Sequence, residues 1–188
     1  DFGTTLGSWD ANEVLVASGA GYHDALGAGS YAMSKRAFIL LVNPNGDNAP
    51  MIDKAKSHGQ ATILGGLAAV PFQVQSDLKD AGVTTIRLAG EDAYQTNTTF
   101  VKYAVAQGMS LDGAGFSSGL GYYDALGSSH ILGKSNSVMF LVSLDDSLNQ
   151  PVYDMLKESG VSFTSGRVFG GSAVISDEVK QAFEESIK

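Results

Sequence analysis

The chain has 188 residues, 44% hydrophobic and 17% charged, with 23 glycines, no cysteine and a net charge of −8. Without cysteine there are no disulfides, thiolate metal sites or cysteine nucleophiles. The 12 Lys and Arg are scattered, which speaks against nucleic acid and a membrane surface as partners, and no apolar run approaches the roughly 18 residues that read as a bilayer span.

In chain order, Val14–Ser18 reads as a short apolar strand entering the turn Gly19-Ala20-Gly21. Asp24 stands where it would cap a helix over Ala25–Lys35, its carboxylate accepting from free backbone N–H groups. Phe38–Val42 is a continuous apolar run, the pattern of a strand covered on both faces. Pro50 opens a helix that Gly59 ends. Ala61–Leu64 is a third strand closed by Gly65-Gly66. A helix then runs to about Ala81, with Gly82 as its left-handed stop. Thr84–Leu88 is a linking strand, followed by a helix to about Gln107.

The same elements then return as Gly113–Ser117, Asp124–Lys134, Ser137–Ser143, Pro151–Ser159, Ser165–Phe169 and Ser176–Ile187. The return is also literal. Ser18-Gly19-Ala20-Gly21-Tyr22-His23-Asp24-Ala25-Leu26-Gly27 lies over Ser118-Gly119-Leu120-Gly121-Tyr122-Tyr123-Asp124-Ala125-Leu126-Gly127, at an offset of 100 residues. Ile63-Leu64-Gly65-Gly66 lies over Val168-Phe169-Gly170-Gly171, at an offset of 105. Two such blocks in the same order mark an internal duplication. Strand–helix alternation predicts, for each copy, a small mostly parallel sheet flanked by helices. The fold class is therefore α/β, two tandem three-layer modules: residues 1–83, and residues 84–188 opening with a linker strand and helix over 84–108.

Few residues suit chemistry. Gly19-Ala20-Gly21-Tyr22-His23-Asp24 has the start of a dinucleotide turn, but Asp24 stands where that fingerprint needs Gly. Ser18, His23 and Asp24 have the composition of a hydrolase triad. However, His23 becomes Tyr123 in the second copy and no nucleophile elbow is present, so Ser18 and Ser118 are better read as bonding nearby backbone. Asp24 and Asp124 could accept sugar hydroxyls at the strand ends. Tyr22, Tyr31, Tyr122 and Tyr123 cluster near the Gly turns, where they fit either sugar faces or interface packing. Gly65-Gly66 and Gly170-Gly171 either present N–H groups to an anion or allow close backbone packing. His23, His58 and His130 share no repeat position with another ionisable residue and read as surface residues.

The ordered set Ser18-Gly19, Asp24-Ala25-Leu26, Ile39-Leu40-Leu41, Ile63-Leu64-Gly65-Gly66 and Ala69-Val70 resembles the type 2 cell-wall-binding repeat. In the second copy the matching residues are Ser118-Gly119, Asp124-Ala125-Leu126, Phe140-Leu141, Gly170-Gly171 and Ala173-Val174-Ile175-Ser176. The linker Arg87-Leu88-Ala89-Gly90-Glu91-Asp92-Ala93-Tyr94-Gln95-Thr96 departs from the family pattern at Ala93, where an Arg is usual. The resemblance implies Toprim-like modules, three to an assembly, that anchor a secreted Gram-positive surface protein outside the cell to a wall polysaccharide or anionic wall polymer. It implies no catalysis and no cofactor. Toprim enzymes hold magnesium with a Glu after the first strand and an Asp-x-Asp after a later one. Here the first strands end at Ser18 and Ser118 without a Glu, and Asn43-Pro44-Asn45 and Ser143-Leu144-Asp145-Asp146 follow the central ones, so the set is incomplete and no metal is expected. Expected ligand contacts are Ser18, Gly19, Tyr22, Asp24, Ser118, Gly119, Tyr122 and Asp124, with Arg87 and Arg167 as cations. Lys35, Arg36 and Lys134 could add basic pockets to an otherwise acidic chain. A surface-layer structural or protein-interaction module and a small hydrolase remain as alternatives. No signal peptide is read, and the start in mid-repeat suggests an excised fragment.

Overall fold

The computed structural model describes Trp9, residues 11–161 and residues 163–186. The chain runs from β1 (Glu13–Ser18) through two short helices, α1 (His23–Leu26) and α2 (Gly29–Lys35), to β2 (Phe38–Val42). It continues as α3 (Ala49–Lys56), β3 (Gln60–Leu64), α4 (Phe72–Asp80) and β4 (Thr84–Leu88). The long helix α5 (Ala93–Ala106) then leads to β5 (Ser110–Ser118), α6 (Tyr123–Lys134), β6 (Ser137–Val142) and a 3-10 turn at Asp146–Asn149. The remaining elements are α7 (Gln150–Glu158), β7 (Arg167–Phe169) and α8 (Asp177–Ser186).

Two parallel sheets result, ordered β2-β1-β3-β4 and β6-β5-β7. The pleat explains their layering, because successive side chains leave a strand on opposite faces. On β1, Val14 and Val16 meet Met51 and Ala55 of α3 and Val74 and Leu78 of α4. Leu15 and Ala17 belong to the opposite cluster, with Tyr31 and Ala32 of α2 and Phe100 and Ala104 of α5. On β6, Phe140 and Val142 share that large cluster with Val152, Leu156 and Phe183, whereas Met139 and Leu141 face Ala125 and Leu132 of α6. Phe116 stacks on Phe183 at 4.0 Å and on Phe140 at 5.5 Å between ring centroids. The fold is thus two small parallel sheets flanked by helices, with one apolar cluster running through both.

Two expectations change. The helix over Ala25–Lys35 is two helices, and Asp24 caps neither. Ala25 and Leu26 donate to the Tyr22 carbonyl, so the helix has begun before the Asp24 carboxylate could cap it. Asp124 likewise sits inside the first turn of α6, with Tyr122 at the cap position. A side-chain cap does form on α5, where Asp92 accepts the Gln95 N–H at 2.8 Å. The second change concerns β2. Strand β6 is buried throughout, yet β2 leaves Leu41 57% exposed. Helix α5 packs against β6, and nothing among the described residues covers β2 in the same way. The linking strand Thr84–Leu88 pairs with β3 of the first sheet, Thr84 opposite Gln60 and Leu88 opposite Leu64.

The two sheets are joined by close helix packing. A Cβ built on Gly133 would lie 2.5 Å from Met33 Cβ, and one on Gly29 would collide with Ser129. Glycine is therefore required where α2 and α6 cross. Helix α5 is also tied to the first module by a polar knot. The Glu13 carboxylate accepts from Tyr31 and Tyr103, each at 2.7 Å, and from Thr62 Oγ1.

Candidate functional site

Strands β1 and β5 carry the Ser-Gly turns off their C-terminal ends, and the turns share one geometry. Ser18 Oγ accepts the Ala20 N–H at 3.2 Å, and Ser118 Oγ accepts the Leu120 N–H at 3.1 Å. Gly19 N–H donates to the Val42 carbonyl at 2.8 Å, and Gly119 N–H to that of Val142 at 3.0 Å. Both serines thus act on their own turn, as small hydroxyl side chains do. Neither glycine has room for a side chain. A Cβ would meet Val42 O at 2.6 Å in the first turn and the Tyr94 ring at 2.7 Å in the second.

Beside the first turn lies an apolar hollow of about 410 Å³, lined by Ser18, Gly19, Tyr22 and Leu41 of the first module and Tyr122 and Leu126 of the second. Tyr22 meets Tyr122 edge-on at 5.5 Å, and Tyr122 lies against Tyr123 at 4.2 Å. Tyr22 Oη donates to the Leu120 carbonyl at 3.3 Å. Four of the expected contacts, Ser18, Gly19, Tyr22 and Tyr122, therefore line one hollow between the modules. Tyr31 does not join the cluster. It is buried on α2, where burial and its bond to Glu13 push the phenol well above its usual range.

A second, more polar hollow of about 380 Å³ is lined by His23, Asp24, Gly66, Asp92, Ala93 and Thr96. Burial raises the Asp24 carboxyl above its ordinary value, with His23 pulling the other way. A Cβ on Gly65 would collide with that carboxylate, so the glycine lets Asp24 approach the turn. Asp124 takes the same place beside Gly170, 3.2 Å from where a Cβ would lie, and is exposed. Arg87 approaches the Gly65-Gly66 turn and donates through Nη1 to the carbonyls of Gly65 at 2.8 Å and Gly66 at 3.2 Å. Its Nε holds Gln75, its Nη2 is buried without a partner, and burial lowers its pKa. Arg167 is elsewhere, on the second sheet, donating to the Gly113 carbonyl at 3.0 Å. The two arginines do not share a site.

Two histidines are exposed, with His23 stacked on Tyr22 at 4.2 Å. His58 is instead half-buried, its Nδ1 2.6 Å from the Ala11 carbonyl and its ring against Phe38. Among the described residues, no group of three or more His, Asp or Glu is placed to hold a metal ion, and no helix is long and apolar enough to cross a membrane.

Sequence reasoning missed three features. Leu26 is buried among Ala125, Leu132, Met139 and Leu141 of the second module, while its counterpart Leu126 is 65% exposed. Asn97 of α5 is buried and bridges the outer edge of β6, donating to Met139 O at 3.1 Å and accepting from Leu141 N at 2.8 Å. A third repeated device follows the central strands. Asn48 accepts from Asn43 N at 2.8 Å and donates to Asn43 O at 3.0 Å, and Asn149 does the same to Ser143 at the same distances. The asparagine signal was legible, but an extra residue in the second loop shifts it out of the 100-residue register.

The comparisons with known proteins bear on this duplicated architecture. The family model described as "Cell wall binding domain 2 (CWB2)" matches residues 4–75 and again residues 87–180. The N-acetylmuramoyl-L-alanine amidase LytC of Bacillus subtilis (strain 168) is 28% identical over 173 residues, 90% of this chain and 33% of the relative. Cwp6 from Clostridium difficile superposes with a TM-score of 0.81 at 23% identity, over 94% of this chain and 28% of that one. Cwp8 from Clostridium difficile gives 0.76 at 23%, over 94% and 30%. The chain thus spans about a third of the length of these proteins, and the structural likenesses speak for the fold. With the family's pattern matched twice, in the order in which the two sheets occur, the chain belongs to the cell wall binding domain 2 family and is a cell wall binding module.

Proposed function

We propose that this chain is the non-catalytic gripping part of a secreted surface protein, and that it holds an anionic secondary wall polymer or wall polysaccharide outside the cell at the C-terminal ends of its strands. The observation that carries this reading is the Ser-Gly turn, built twice with the same bonds and, in the first module, opening onto a hollow rimmed by tyrosines. Tyrosine rings offer a sugar an apolar face with a polar tip. Two weak sites on one chain gain avidity through effective concentration, which suits an anchor. Ser18, Gly19, Tyr22 and Tyr122 form the proposed contact in the first hollow, and Ser118 and Gly119 its counterpart. Asp24 and Asp124 would accept hydroxyls, and Arg87 and Arg167 supply positive charge on an acidic chain.

We also propose module limits of residues 1–83 and 84–188, and a three-module assembly. Contact between the two modules is heterologous: Leu26 enters the second module, while Leu126 and Leu41 are exposed among the described residues. A third module, inserting its own leucine beside Leu41 and receiving Leu126, would close the ring.

Binding of the purified chain to native walls tests the proposed ligand, repeated on walls whose polymers have been extracted with acid. Retention should fall strongly after extraction. The Tyr22→Ala, Tyr122→Ala double variant should fall by about tenfold or more on native walls, in line with loss of both aromatic contacts of the first hollow. Equal retention before and after extraction would refute the ligand class.

A further inference from the structure

The two sheets differ at one edge, and the difference identifies what that edge accepts. In the first sheet the edge beyond β3 is closed by β4, in parallel register from Gln60–Thr84 to Leu64–Leu88. Gly65 N–H extends the ladder to the Leu88 carbonyl at 2.9 Å, and Arg87 Nη1 fastens the turn through the carbonyls of Gly65 and Gly66. The matching edge of the second sheet is β7, which pairs with β5 on one side and, among the described residues, ends the sheet on the other. Its Val168 is 40% exposed, and Gly170 holds the left-handed backbone of Gly65, with φ of 133° against 103°. An unpaired strand edge is a template for another strand.

We infer that β7 accepts, in parallel, the linking strand of a following module: a segment like Thr84–Leu88, β-branched with an arginine at its fourth position. The arginine would donate to the carbonyls of Gly170 and Gly171, and the loop after it would close a polar hollow over Asp124 as Gly90–Thr96 does over Asp24. A second copy of this chain cannot supply its own Thr84–Leu88 without stripping that strand from its first sheet, where all five residues are paired. The modules are then laced together, each lending its first strand to the one before. This inference is independent of which polymer is bound, so a failed wall-binding experiment leaves it untouched.

The test is the full chain extended after Lys188 by a second copy of its own residues 82–107, followed by amide hydrogen exchange. The Gly65 N–H points toward β4, and alternation along the strand puts the N–H of Ile63 on the same side. Their counterparts, Gly170 and Val168, are the reporters. Their exchange should slow by about tenfold or more in the extended chain, the signature of newly formed ladder bonds. Arg87→Ala placed in the appended copy alone should return much of that protection while Gly65 exchange stays as it was. Unchanged exchange at Val168 and Gly170 in a folded extended chain would overturn the inference. So would protection that appears in the unextended chain as its concentration rises, which would make β7 an edge between copies.

Discussion

Asp24 is the half-buried carboxylate whose position in the sequence suggested a helix cap, and its real surroundings lead to a different expectation. Burial raises its pKa above the ordinary value of 3.8. A carboxylate raised in the fold destabilises the fold once it ionises. The penalty is absent below the ordinary value and complete above the raised one. Asp24→Asn should therefore raise the thermal midpoint at pH 7 and lose that advantage on acidification below about pH 4. The exposed Asp124, changed in the same way, should alter the melt less. A melt of Asp24→Asn that is lower at pH 7 would show that the carboxylate accepts bonds that matter. Asn97 carries a larger effect. Its replacement by Ala strands the Met139 carbonyl and the Leu141 N–H at a buried edge, and should cost roughly 1–3 kcal/mol in denaturant unfolding. Ser18 was legible because a hydroxyl one residue before Gly in a turn has few other uses. Asn97 was not, because nothing in a helical sequence marks which strand its amide will bridge.

Helix boundaries set by Pro50, Gly59 and Gly82 follow the sequence closely: α3 has its proline at the start, and Gly59 and Gly82 hold φ of 78° and 84°. The same reading failed on Phe38–Val42. Five apolar residues in a row promise two covered faces, but cover is supplied by another element, and β2 and β6 differ in whether a helix such as α5 lies over them. Pairing partners were hidden for the same reason. Thr84–Leu88 reads as a strand, yet its sheet is decided by the long-range contact with β3. At the crossing of α2 and α6 Gly29 faces Ser129 and Gly133 faces Met33, and the structure shows why the two glycines are needed. Gly133→Ala would press a methyl to 2.5 Å from Met33 Cβ and 2.9 Å from the Ser30 carbonyl. Such overpacking should cost about 1–3 kcal/mol. It should separate the modules' unfolding transitions in calorimetry, whereas an unchanged single transition would mean that the helices can slide apart at little cost.

As a whole, the molecule is one unit used twice and then interlocked, so that neither copy presents the same surface. The second module buries Leu26 of the first, and its own Leu126 points outward. The order of motifs along the chain carried the fold class and the family, because a duplicated pattern is visible without any contact being known. The hollow between Tyr22 and Tyr122 was only partly visible, since it exists where the copies meet. The most direct measurement is a titration of the isotope-labelled chain with purified acid-extracted wall polymer, followed through its backbone amides. Perturbations should concentrate at residues 18–22 and at 118–122, in both modules. Perturbations confined to the opposite ends of the strands, around Glu13 and Ser110, would contradict the reading of the Ser-Gly turns as the gripping surface.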